Sequence, residues 1–219
     1  MASLLIKSDF NKFFSAMAQY TDLLLKITEA RKVVVPPEKE REIYTKLLVS
    51  EKRQIHEAFV LKIYVAWELL VENVFIECLY RDPSGYAQHK MLALPAKLTR
   101  DICRGLISGL GYFDFRNTGD LKGKAKKALV DRFNPFAVLP REATDRIDEF
   151  YVIRNYLAHY SDSSRQSLAA MYRQKYNVPF REPGKFFFEY DAHHKQIRFA
   201  NYTNAFLKAA DEMALFLNV

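Results

Sequence analysis

Val60, Ile63, Trp67, Leu70 and Val74 follow one another at alternating steps of three and four residues. On a helix turning by about 100° per residue, that spacing puts all five on one stripe. A strand would scatter them over both faces, because its side chains alternate. The stripe therefore predicts a long helix, from Glu38 to Tyr80, and a surface to bury it against at a shallow angle. That surface is another helix of the same core or the seam of a second copy. The first part of the helix carries Lys39, Glu40, Arg41, Glu42, Lys46, Glu51, Lys52 and Arg53. It reads as a solvated face laced with ion pairs.

The same period recurs elsewhere. Phe10, Phe13, Phe14, Met17, Tyr20, Leu24 and Ile27 predict a first helix over 10–31, capped by Ser8-Asp9 and stopped by Val33–Pro37. Ala205, Phe206, Ala209, Met213 and Phe216 predict a last one over 202–217. Between 81 and 140 the pattern breaks. Arg81–Gly85 is a turn, Leu94–Gly105 a short helix, and Gly109–Gly111 and Asn117–Asp120 are loops. Leu121–Phe133 is a basic helix whose Lys122, Lys124, Lys126, Lys127 and Arg132 make either a solvated face or a contact to phosphates. Arg165–Tyr176 is a further helix. The aromatic runs Phe186–Tyr190 and Gln196–Phe199 predict a short β-hairpin with His193 and His194 in its turn. Adjacent residues of a strand face opposite ways, so those two make a poor metal pair.

With 219 residues, 49% of them hydrophobic, and only seven glycines, the chain builds one well-filled domain. Its formal charge of +7 favours an anionic partner without specifying the fold. Cys78 and Cys103 are the only cysteines. They are too few for a disulfide framework, and Cys78 lies in an apolar helical pattern. The apolar run at the start is too short for a secretory signal, and nothing approaches the length of a bilayer span. A cytoplasmic protein without membrane contact is the expectation.

One further helix carries chemistry. In T-D-R-I-D-E-F-Y-V-I-R-N-Y-L-A-H-Y-S, residues 144–161, Ile147, Phe150, Ile153 and Leu157 form an apolar arc. Pro140 opens this helix and Thr144 caps it. Arg154 falls inside the arc, while Asn155 and His159 sit four apart at its shoulder. A guanidinium offers an anion a planar fork of donors. An imidazole moves a proton near neutral pH. Tyr64, Glu68, Glu72 and Phe75 flank the seam of the long helix. No H-E-x-x-H, G-x-S-x-G or Walker pattern competes with this constellation.

The spelling R-N-Y-L-A-H resembles the Arg-Asn-x-x-x-His signature of the HEPN superfamily, and is closest in character to its RiboL-PSP and MAE types. The segment A-W-E-L-L-V-E-N-V-F is similar to the early helix that faces the motif in that family. The resemblance implies an all-α, HEPN-like antiparallel helical bundle as a single domain over 1–219. Its core covers about 38–80 and 143–176, with a basic insertion over about 81–140, a hairpin over about 185–199 and the last helix over 202–217. It implies a metal-independent endoribonuclease of the toxin or phage-defence kind, needing no cofactor. Arg154 holds the scissile phosphate, His159 is general acid or base, and Asn155 orients one or the other. Glu68, Glu72, Tyr160, Lys124 and Lys127 support the site or touch substrate. The implied partners are RNA, a second copy in a homodimer, and an antitoxin or other regulatory protein. A non-catalytic RNA- or nucleotide-binding module of the same fold is the alternative. So is a dimeric helical interaction protein in which Arg154 and Glu68 form a structural ion pair and His159 merely ends its helix.

Overall fold

A computed structural model describes residues 2–29, 49–109, 114–187, 189–191 and 195–219. The stop expected at Val33–Pro37, residues 38–48 and the pair His193-His194 lie outside these. The described chain is predominantly helical. In order it runs α1 (Ala2–Glu29), α2 (Val49–Arg81), α3 (Ser84–Lys90), α4 (Arg100–Ser108) and α5 (Thr118–Ala128). Two 3₁₀ turns, Asp131–Phe133 and Pro135–Val138, lead to α6 (Arg141–His159) and α7 (Asp162–Tyr176). Then come α8 (Pro183–Phe187), the strands β1 (Tyr190–Asp191) and β2 (Gln196–Ile197), and α9 (Arg198–Leu217). The strands pair antiparallel, Tyr190 opposite Ile197 and Asp191 opposite Gln196. Backbone proximity divides the chain into two compact units.

The first unit comprises Met1–Phe13, Trp67–Asp148 and Ala205–Val219. α1 starts eight residues before the expected Phe10, because Ile6 continues the spacing of Phe10 and Phe13 and is equally buried. Ser8 and Asp9 are thus helical and cap nothing. Trp67 is closed in by Phe13 and Phe206, with ring centroids at 6.1 and 5.5 Å. Phe75 stacks on Phe136 at 5.6 Å. From Val74 to Leu79 every residue of α2 is buried, Glu77 included. Glu77 is satisfied by two arginines: Arg81 Nε donates at 3.1 Å and Arg100 Nη2 at 2.6 Å. Burial pushes the Cys78 thiol up to about 12, which keeps it an inert core residue.

The turn at Arg81–Gly85 is shorter than expected. Asp82 accepts the Ser84 amide at 2.9 Å and the chain re-enters a helix at once. α4 begins only at Arg100, where the Thr99 hydroxyl accepts the Ile102 amide, rather than at Leu94. Asn117–Asp120 is a helix start and not a loop. The Asn117 side chain accepts the Asp120 amide at 2.8 Å and caps α5. Asp148 reinforces that start, accepting the Thr118 amide at 2.7 Å and its hydroxyl at 2.9 Å. A carboxylate there meets the positive end of the helix dipole. α5 then stops at Ala128, short of the expected Phe133.

The second unit comprises Phe14–Ala66 and Glu149–Asn204. Its interior is aromatic. Phe150 lies 5.7 Å from Phe187 and 5.8 Å from Tyr202, and Tyr172 stacks on Phe186 at 4.2 Å. A buried carboxylate sits among these rings. Glu149 accepts the Tyr176 hydroxyl at 2.6 Å and the Tyr202 hydroxyl at 2.9 Å, and the two hydroxyls are 2.8 Å apart. Burial, with Glu149 alongside, drives the Tyr202 phenol well above the ordinary tyrosine value. The expected strand Phe186–Tyr190 is corrected here. Pro183 opens the short helix α8, and Phe186 and Phe187 are both fully buried in it. Neighbouring strand residues would have pointed to opposite faces. Likewise Arg198 and Phe199 already belong to α9, so only two residues per strand remain.

Candidate active site

α6 begins straight after Pro140, whose carbonyl accepts the Thr144 amide at 3.0 Å. Proline before the first turn wastes no donor. Thr144 is inside the helix rather than its cap; its hydroxyl turns back to the Arg141 carbonyl at 2.8 Å. The arc read from the sequence is buried throughout, since Ile147, Phe150, Ile153 and Leu157 are all at most 5% exposed.

Within the second unit, that arc carries Arg154 into a half-buried position. Its guanidinium carbon lies 5.3 Å from the centroid of the Tyr64 ring. Tyr64 is itself buried and stacked on Phe150 at 6.5 Å. A cation over a ring face is attracted by the quadrupole, more strongly where water is excluded. Asn155 is half-buried on the next position, and His159 is exposed as the last residue of α6. Neither side chain is hydrogen-bonded or ion-paired among the described residues. Both are free to meet a ligand.

Tyr160 ends the helix abruptly. Its φ of 46° is left-handed, and Ser161 immediately caps α7 by a reciprocal pairing with Ser164. The Tyr160 ring, 61% exposed, lies 5.2 Å from that of Tyr156. Its hydroxyl donates to Glu57 Oε2 at 3.3 Å. Burial raises the Glu57 carboxyl above the usual carboxylate range, against the Gly184 amide and the Tyr160 hydroxyl, which pull it down. Burial and the nearby Glu57 raise the Tyr160 phenol in turn. Phe180 stands edge-on to Tyr156 at 5.7 Å, with the Arg165 guanidinium over its face at 4.8 Å.

The remaining residues expected at the site belong to the first unit. Glu68 and Glu72 are half-buried on α2, and Glu72 lies 3.9 Å from Arg104. Lys124 and Lys127 are on α5. Lys124 bonds the Asp114 carbonyl and pairs with Asp120 at 3.1 Å, while Lys127 is exposed. Sequence reasoning overlooked Glu57, Arg165 and Phe180. Glu57 carries one usable signal: it stands seven residues before Tyr64, two turns away on the same helix face.

Among the described residues, no group of three or more His, Cys, Asp or Glu is placed to hold a metal ion. No described helix is long and apolar enough to cross a membrane. Comparison of the chain with family models, characterised proteins and solved structures finds no match.

Proposed function

We propose that the protein is a metal-independent endoribonuclease of the HEPN type, acting in the cytoplasm as a homodimer. The observation that carries this reading is the pairing on one helix of a guanidinium held against an aromatic ring and an unengaged imidazole. Arg154 is anchored at Tyr64, and His159 is exposed five residues on. Arg154 holds the scissile phosphate and the charge that builds on its oxygens. The substrate's 2′-hydroxyl gives up its proton to an imidazole and attacks the adjacent phosphorus. The bond from phosphorus to the 5′-oxygen breaks, that oxygen takes a proton, and a 2′,3′-cyclic phosphate and a 5′-hydroxyl result. One step needs a base and the other an acid. A homodimer supplies two copies of His159, one for each role. Asn155 orients the phosphate or the imidazole. A nuclease of this toxin or defence type requires a neutralising partner.

A second reading has an observation of its own. No described residue orients the His159 ring, and a module that binds RNA without cleaving it needs no such orientation. The two are separated by incubating the protein with labelled single-stranded RNA in EDTA. Cleavage to cyclic-phosphate ends is expected. His159→Ala should lower it by about 10²–10⁴ with the melting temperature unchanged. Arg154→Lys should also fall, since a point charge replaces a fork. Cleavage that requires Mg²⁺, or survives both substitutions, refutes the reading. Binding without cleavage selects the second.

A further inference from the structure

The first unit contains a cleft lined by Lys124 and Lys127, two residues expected to support the site that the cleavage steps proposed above do not use. It forms where α3 and α5 approach closely. A Cβ on Gly85 of α3 would lie 3.0 Å from the Ala128 carbonyl oxygen and 3.0 Å from the Leu129 carbonyl carbon. A side chain there would require the facing backbone to give way by a few tenths of an ångström. The cleft between them and the end of α4 has a volume of about 560 Å³. Sites for small organic ligands run from about 300 to 1,000 Å³, and a lone inorganic ion needs far less.

Its walls have two characters. Phe75, Leu106 and Ala128 give an apolar side. Opposite in chemistry are Lys90 and His89 at the end of α3, and Lys124 and Lys127 one turn apart on α5. Lys124 is fixed by the Asp114 carbonyl and Asp120. Lys90, His89 and Lys127 have no ion-pair partner among the described residues. Asp114 is the only carboxylate among the described lining residues. Cations gathered around one concavity repel each other and raise the local concentration of anions. An anion with a flat apolar body satisfies both walls at once.

We infer that this cleft binds a small organic phosphate, a phosphate monoester on an aromatic or heterocyclic body. The phosphate sits between Lys90, Lys124 and Lys127, and the ring lies along Leu106. Lysines hold it as point charges, so affinity falls as salt rises.

The test is calorimetric titration of the whole chain with phenyl phosphate and with 5′-AMP. Phenol, adenosine and inorganic phosphate are the controls. Each phosphate monoester should bind at least ten times more tightly than its two fragments. Lys124→Ala/Lys127→Ala should weaken binding at least tenfold. Leu106→Trp should fill the apolar side and abolish binding, with the helical circular dichroism unchanged to show that the variant folds. Inorganic phosphate binding as tightly as the esters would overturn the inference, because charge alone would then account for it. So would affinity indifferent to both variants, or no binding at all. A 5′-hydroxyl RNA oligomer binding as tightly as 5′-AMP, with the same loss in the lysine variant, would also overturn it and mark the lysines as backbone contacts. RNA cleavage is read in a separate assay, so a negative result here leaves the nuclease proposal standing.

Discussion

Replacing Glu149 by leucine removes the polar centre of the second unit's aromatic interior, and its cost follows from the geometry. Two phenol–carboxylate bonds are lost, at 2.6 and 2.9 Å. Hydrogen bonds to a charged group contribute about 1.5–3 kcal/mol each. The loss from these two bonds alone is therefore about 3–6 kcal/mol. The two phenols are 2.8 Å apart and keep each other partly satisfied, which reduces the figure to about 2–4 kcal/mol. For a chain of this size each kcal/mol lowers the melting temperature by about 2–4 °C. Glu149→Leu should thus melt about 5–15 °C lower. Glu149→Gln, which keeps an acceptor without the charge, should lose about half as much. A double-mutant cycle with Tyr202→Phe should show coupling above about 0.5 kcal/mol. Urea unfolding followed by circular dichroism reads the parent and all four variants, the double mutant included. A loss below 1 kcal/mol for Glu149→Leu, or equal losses for leucine and glutamine, would refute the claim that the carboxylate organises this interior.

The same cluster should govern alkaline behaviour. Tyr202 is held protonated when folded but titrates near pH 10 when unfolded. The unfolded chain therefore releases this proton first, and stability should fall as pH rises above about 10, less steeply in Tyr202→Phe. For Glu57 the folded value is raised, so the fold is favoured most below the usual glutamate range and loses that advantage as pH rises. Glu57→Gln should accordingly gain stability relative to the parent at pH 7 and not at pH 4. Gly85→Ala should lose about 1–3 kcal/mol, because backbone rather than a flexible side chain blocks the methyl. Gly105→Ala, in a helix with nothing within 4 Å of the added carbon, should gain about 0.5–1 kcal/mol. Thermal melts at matched pH check all of these.

Where one face of a helix meets one core, the spacing of apolar residues was enough. Val60, Ile63, Trp67, Leu70 and Val74 are all buried, as is the arc of α6. Spacing failed where burial was not one-sided. Residues 74–79 are enclosed on every side, so Glu77 carried no polar face to mark it, and its partner Arg100 is distant in sequence. Phe186 and Phe187 read as strand because their type suits one; the ring cluster around them decided otherwise. Asn117 read as a turn residue because caps and turns draw on the same side chains. At the candidate site, Arg154, Asn155 and His159 were singled out by their spacing on one helix together with the resemblance of R-N-Y-L-A-H to a known signature. Glu57 and Phe180 meet Tyr160 and Tyr156 only through tertiary folding.

Tyr160 has a consequence for how the end of α6 moves. A side-chain-bearing residue at φ 46° gives up about 1–2 kcal/mol relative to the right-handed region. The grip of its ring on Tyr156 and of its hydroxyl on Glu57 offsets that strain. The junction is therefore a sprung latch, secured by side-chain contacts together with one backbone bond. Deuterium should enter first at the Tyr160 amide, bonded to the Tyr156 carbonyl at 2.8 Å, with the His159 end loosening before the buried turns behind it.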